Sequence, residues 1–345
     1  MPGIEPIGDD FTHPNMSFVS AHRRCRRVEK DLMAQLTHKL TDMPLRKQLV
    51  NIWIMGHLLK VGPTDKAKSH ISTTINTEAT DASLISRGVF YDRFFIRAFH
   101  KAKTLAEVHE KLQSCPSDHH EKVIHLPQAL ARDNYRCVLS DTMDRKPYLE
   151  YDKLQTQKRE GELPLTTQCA HIFSESTYVG TDSDPVKKDY AANAWTIIED
   201  FGFPQIHQEL KGENIHHLEN ILTLEYSLRD HFDDLTLWLE PAIIAIKSAQ
   251  RKSITFLICV WKLPHFVEFT STRSDLSLPS KEYLGIHAAC YCVAPMSDAV
   301  EYLNLLEDDD PFKSKIRSYG SDFGDALAAR LYDVSEARLA ATVGA

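Results

Sequence analysis

The chain has 345 residues, 43% of them hydrophobic and 26% charged, with a formal net charge of −8. That composition fits a folded globular protein and excludes disordered, fibrous and disulfide-dense classes. No uncharged apolar run reaches the eighteen or so residues of a membrane span: Leu49–Leu59 is too short, and Lys247, Arg251 and Lys252 interrupt Pro241–Trp261.

The opening MPGIEPIGDDFTHPN has neither the basic start nor the apolar stretch of a secretory signal, so an intracellular protein with no membrane partner is expected. Seven scattered cysteines, with no CxxC among them, argue against a disulfide framework and a four-cysteine zinc site. Charge is uneven, about +4 over residues 1–130 and about −12 over the rest. The cluster Arg23, Arg24, Arg26 and Arg27 reads either as a local basic track or as a solvated helix face.

From Phe18 to Leu59 apolar residues recur at helical spacing, with Val28, Leu32, Leu36 and Leu40 four apart. Gly62-Pro63 breaks the pattern, and the Ser/Thr-rich stretch Thr64–Asp81 reads as a loop or weak helix. Leu84–Leu112 is helical again, with a bulky stripe from Val89 to Phe99. Residues 1–125 are therefore expected to form a helical region. A helix end and a short strand, Arg136–Leu139, follow in ALARDNYRCVLSD. Strands are expected over Leu165–Phe173 and Asn214–Leu224, with helices over Lys187–Phe201 and Glu225–Leu239. Residues 254–270 are strand-like and Lys281–Leu306 is helical. The class is α+β, divided into 1–125, 126–240 and a strand-plus-helix extension, 241–345.

Two features of the middle region carry chemistry: a lone His171 inside the strand-like CAHIF, and Asn220 just before ILTL and a polar helix. A histidine at a strand end can act as a base near neutral pH. An asparagine, with donor and acceptor on one amide, can tie a connecting loop to a strand. A divalent metal between such a hairpin and a following helix would neutralise charge on a scissile phosphate.

The ordered strings RDNYRCVLSD, TTQCAHIFSEST, KDYAANAWTIIEDFG and NIHHLENILTLEYSLRDHFDDLTLWLE resemble the HNH nuclease domain common in fungal genomes. The similarity extends to FYDRFFIRAFHKAK upstream and LPSKEYLGIHAACYCVAPMSDAVEYL downstream, over roughly residues 85–305. The resemblance implies a ββα-metal finger and metal-dependent endonuclease activity on nucleic acid, DNA being the expected partner. It implies His171 as general base, Asn220 as a structural catalytic residue, and Mg²⁺, Mn²⁺ or Zn²⁺ as cofactor.

The chain departs from that pattern in three places. Arg229 stands where the second histidine is expected, and a guanidinium cannot ligate a cation. Ala170 replaces an Asp found in many such enzymes, and Ser174 a usual Pro. Metal ligands are then sought at His231, Asp230 and Asp233. His231 is two residues from Arg229, about 200° around a helix, so it would serve only with a shifted register. Of His216 and His217, a strand would let at most one join the site. The alternative is a degenerate HNH fold used as a binding or interaction module, with Arg229 on a phosphate. A chance likeness would leave Arg136–Leu139, His171 and Asn220 far apart.

Overall fold

The structure, a computed structural model, describes residues 6–37, 42–100, 127–174, 185–241, 253–258, 263, 266–271 and 273–299. Apolar spacing and side-chain caps build its first part, helices α1 (Met16–Thr37), α2 (Met43–Val61), α3 (Asp65–Thr77) and α4 (Asp81–Tyr91). Asp42 caps α2, Thr64 caps α3, and Thr80 forms a reciprocal box with Ser83 at the start of α4. The stretch expected as a loop or weak helix is thus largely α3. Its hydroxyl residues serve as caps, while Ala67, Ile71 and Ile75 fall on one buried face.

Helices α2 and α4 meet closely. A Cβ on Gly88 would stand 2.3 Å from the Asn51 carbonyl oxygen, so only glycine fits there. Beyond α4 the chain passes through a π-helical turn, Asp92–Ile96, and a last turn ending at Phe99. The remainder of the helix expected to Leu112 lies outside the described residues.

The arginine cluster of α1 is largely spoken for. Arg24 donates to the carbonyls of Ile75, Glu78 and Thr80 at 2.7–3.0 Å. Arg26 binds Asp9 and the buried Glu29, and Arg27 binds Asp81. Those partners hold the Asp9 carboxyl well below the usual carboxylate range.

The middle region holds α5 (Arg145–Glu150), β1 (Thr167–His171), α6 (Pro185–Asp200), β2 (Ile221–Glu225) and α7 (Tyr226–Asp233). β1 and β2 are antiparallel, with His171 opposite Ile221 and Thr167 opposite Glu225. Three expectations change here. Arg136–Leu139 is a tight turn rather than a strand, because Asn134, Tyr135 and Asp141 take left-handed φ values of 53°, 59° and 57° and curl the segment. Asn214–Leu224 is extended only from Ile221, being 3₁₀-helical over Gly212–His216 and Leu218–Asn220. The helix expected to Leu239 stops at Asp233, where backbone N–H groups of Thr236 and Leu237 fold back onto the His231 carbonyl.

A second antiparallel sheet, β3 (Leu239–Pro241), β4 (Ser253–Ile258) and β5 (Phe266–Thr270), precedes α8 (Lys281–Met296). The α+β class is observed. Buried residues from all three expected regions, among them Ile54, Ile198 and Val293, belong to one contiguous core. The boundaries expected near 125 and 241 adjoin residues 101–126 and 242–250, which lie outside the described residues. Two stacks seat α8: Phe232 of α7 on His287 at 4.0 Å and Trp238 on Tyr291 at 3.6 Å. Among the described residues no helix is long and apolar enough to cross a membrane.

Candidate functional site

The three strings that spacing linked are neighbours in space. Val138 donates its N–H to the Thr223 carbonyl of β2 at 2.9 Å, and Ile172 donates to the Asn220 carbonyl at 2.9 Å. His171 and Asn220 therefore flank one end of the same hairpin.

Asn220 holds the chain that leaves His171. Its Oδ1 accepts from Phe173 N at 2.8 Å, and its Nδ2 donates to Phe173 O at 3.0 Å and to Ile215 O at 2.8 Å. The amide is fully buried, and these bonds use both of its ends. Phe173 is anchored in turn by rings on three elements: Phe99 at 5.0 Å, Tyr283 at 5.4 Å and Trp195 at 5.6 Å. Asn220 thus ties Ile215 to the backbone of Phe173, two residues beyond His171.

Arg132 is a residue that sequence reasoning missed. Its guanidinium, fully buried, pairs with Asp133 and donates to the carbonyls of Leu218 at 2.8 Å and Ile221 at 2.9 Å, on either side of Asn220. A third carbonyl, Ser277 O, lies 3.4 Å away. The available signal was an adjacent Arg-Asp pair inside the apolar ALARD string, where a charge survives burial only if fully partnered.

His171, half-buried at the end of β1, has Nε2 3.1 Å from Nδ1 of His216. One ring nitrogen must donate and the other accept, so the pair fixes a tautomer in each ring. Of the two adjacent histidines, His216 joins the site and His217 is exposed. The cause is a 3₁₀ turn rather than strand alternation. Cys169 beside it has its thiol pushed up to about 12 by burial and is unreactive as a ligand or nucleophile.

On α7, Arg229 crosses to β1. Its Nη1 donates to Gln168 Oε1 at 2.5 Å, and its Nε lies 3.5 Å from the Asp233 carboxylate. Side chains at 168 and 170 share one face of the strand, so the guanidinium sits on the face that includes position 170. Here that residue is the fully buried Ala170. The side chain of Arg229 is 27% exposed, and its Nη2 has no partner among the described residues.

The expected metal ligands are not gathered. His231 is exposed and its Nδ1 meets Thr236 Oγ1 at 2.9 Å, because two helical residues differ by about 200° in direction and its ring cannot share the Arg229 face. Asp233 has a carboxylate oxygen 3.5 Å from Arg229 Nε. Asp230 is half-buried, its carbonyl accepting from Asp234 N. Among the described residues, no group of three or more His, Cys, Asp or Glu could hold a metal ion. A guanidinium beside a buried alanine does not fit Mg²⁺, Mn²⁺ or Zn²⁺.

In comparisons with known proteins, no family model, no curated protein and no solved structure matches the chain.

Proposed function

We propose that this chain carries an HNH-type ββα fold in which the Arg229 guanidinium occupies the place of the metal. In this reading it holds a nucleic-acid phosphate, so that the region binds a strand and does not cut it. The observation that carries the reading is the position of Arg229, bridged to Gln168 on the 168/170 face of β1 with Nη2 turned to no partner among the described residues. A planar guanidinium offers parallel N–H donors matched to two phosphate oxygens and supplies a fixed positive charge without a cofactor. The hairpin would then serve as a rigid frame, clamped by Asn220 and Arg132, for the short helix that carries Arg229.

A second reading, a metal-dependent endonuclease with His171 as base, is favoured by one observation: His171 has an imidazole partner that orients its ring. Nicking of supercoiled plasmid by the purified chain, in Mg²⁺, Mn²⁺ and Zn²⁺ separately and beside His171→Ala, separates the two. The binding reading expects no cleavage above the His171→Ala control in any metal. Cleavage that disappears in that control would replace it with the nuclease reading.

A further inference from the structure

We infer that the strand held at Arg229 is single-stranded, and that the exposed ring of Tyr226 is the platform on which one of its bases stacks. The inference rests on the phosphate-binding reading above and names the substrate form of that same site.

Tyr226 opens α7, and Arg229 lies three residues on, so the two side chains are neighbours along one side of the helix. Both are pinned to β1 and the residue before it: Tyr226 N donates to Thr166 O at 3.3 Å, and Arg229 reaches Gln168 at 2.5 Å. The Arg229 guanidinium and the backbone that carries the Tyr226 ring are thus both anchored at the start of β1. The Tyr226 side is open, with the residue 59% exposed.

Exposed large apolar residues are not spread evenly. Of eight among the described residues, Leu149, Tyr151, Leu163, Leu165 and Tyr226 make five. Leu165 immediately precedes the Thr166 carbonyl that receives Tyr226, and Leu163 is 76% exposed two residues earlier. An apolar ledge therefore continues from the tyrosine ring.

Charged groups of both signs border this ledge. Arg145 donates its N–H to Leu165 O at 2.9 Å, and Arg145 and Lys146 are exposed with no ion-pair partner among the described residues. Glu150, the last residue of α5, stands one helical turn from Lys146, and Asp152 follows two residues later. Glu225, next to Tyr226, is engaged by the hydroxyls of Ser140 and Ser227 at 3.0 Å. An apolar and aromatic ledge with Arg145 and Lys146 at one end and Arg229, itself 3.5 Å from Asp233, at the other sets donors for a phosphate beside surfaces for flat rings. In a duplex those rings are stacked away from the surface, whereas an unpaired strand presents them.

Fluorescence anisotropy with labelled oligo-dT, oligo-rU and a duplex of equal length, titrated with the full chain in EDTA, tests this. The wild type is expected to prefer the single strands, and Tyr226→Ala to weaken them roughly 5- to 150-fold, while Tyr226→Phe keeps the ring and the affinity. Tyr226→Ala should leave the salt slope unchanged, and Arg229→Gln should reduce it by about 0.7. Equal binding of duplex, or Tyr226→Ala matching wild type while Arg229→Gln loses affinity, would overturn the stacking inference and leave the phosphate reading standing. Loss of neither would overturn both. Self-association in sedimentation velocity that Leu163→Ser and Leu165→Ser abolish, without any oligonucleotide binding, would assign the ledge to a second copy of the chain and also overturn it.

Discussion

The interior around Asn220 and the helix face around Arg229 use polar groups in opposite ways. At Asn220 and Arg132 nearly every donor has found an acceptor, at 2.7–3.0 Å, and both side chains are fully buried. At Arg229 the guanidinium is partly exposed, makes one short hydrogen bond and one longer ion pair, and leaves Nη2 without a partner among the described residues. A saturated polar group is stabilising structure, and an undersaturated cation at a surface keeps capacity for a ligand. The arginines of α1 extend the contrast. They look like a recognition patch in the sequence, yet Arg24, Arg26 and Arg27 are consumed by carbonyls and carboxylates of their own fold.

The largest effect should come from the saturated interior. Arg132→Met leaves Asp133 charged and buried and strips the Leu218 and Ile221 carbonyls of a donor, costing about 3–5 kcal/mol in urea or thermal unfolding. A loss under about 1 kcal/mol would mean that the pair is not the clamp described. Asn220→Asp keeps the shape but removes the Nδ2 donor to Phe173 O and Ile215 O, and a cost of about 2–4 kcal/mol is expected. Hydrogen exchange should show the 171–174 segment loosening first in that variant.

The joint between α7 and α8 should respond to acid. Burial pushes the His287 imidazole down to about 3. The unfolded chain therefore binds a proton near pH 6.5 that the folded chain refuses. The associated stability is present above about pH 6.5 and is lost toward pH 3, by up to about 1.4 kcal/mol per pH unit. His287→Phe preserves the stack on Phe232 and should flatten that part of the profile. An unchanged slope would contradict the account of the joint.

On the α7 face the stability effects should be smallest. Arg229→Gln is expected to shift stability by less than about 1 kcal/mol, as a partly exposed pair does. His231→Ala should do the same, and should leave oligonucleotide binding intact, since its ring lies against Thr236 and away from the Gln168 side.

Much of this contrast was readable in the sequence, and the reasons are specific. Helical spacing gave α1, α2, α6 and α8, and the order of CAHIF and ENILTL placed His171 and Asn220 at one hairpin. Arg229 was singled out only through the resemblance, which implies a histidine at that position. What was not visible came from tertiary geometry. Three left-handed residues turn Arg136–Leu139 into a tight loop. Thr64 and Thr80 make helix starts out of a stretch that composition marks as loop. For Arg132 the sequence offered only the adjacent Arg-Asp pair, because its other partners are backbone carbonyls far along the chain. The pairing of His171 with His216 depends on a 3₁₀ turn that adjacent histidines do not signal.

The most direct test of the central claim is the affinity of wild type and Arg229→Gln for a labelled oligonucleotide, measured in EDTA over a range of salt. The account predicts binding without any metal, weakened at every salt by Arg229→Gln, with the slope against log salt reduced by about 0.7 to 0.9. Binding that requires a divalent ion, or that Arg229→Gln leaves unchanged in both affinity and slope, would contradict it.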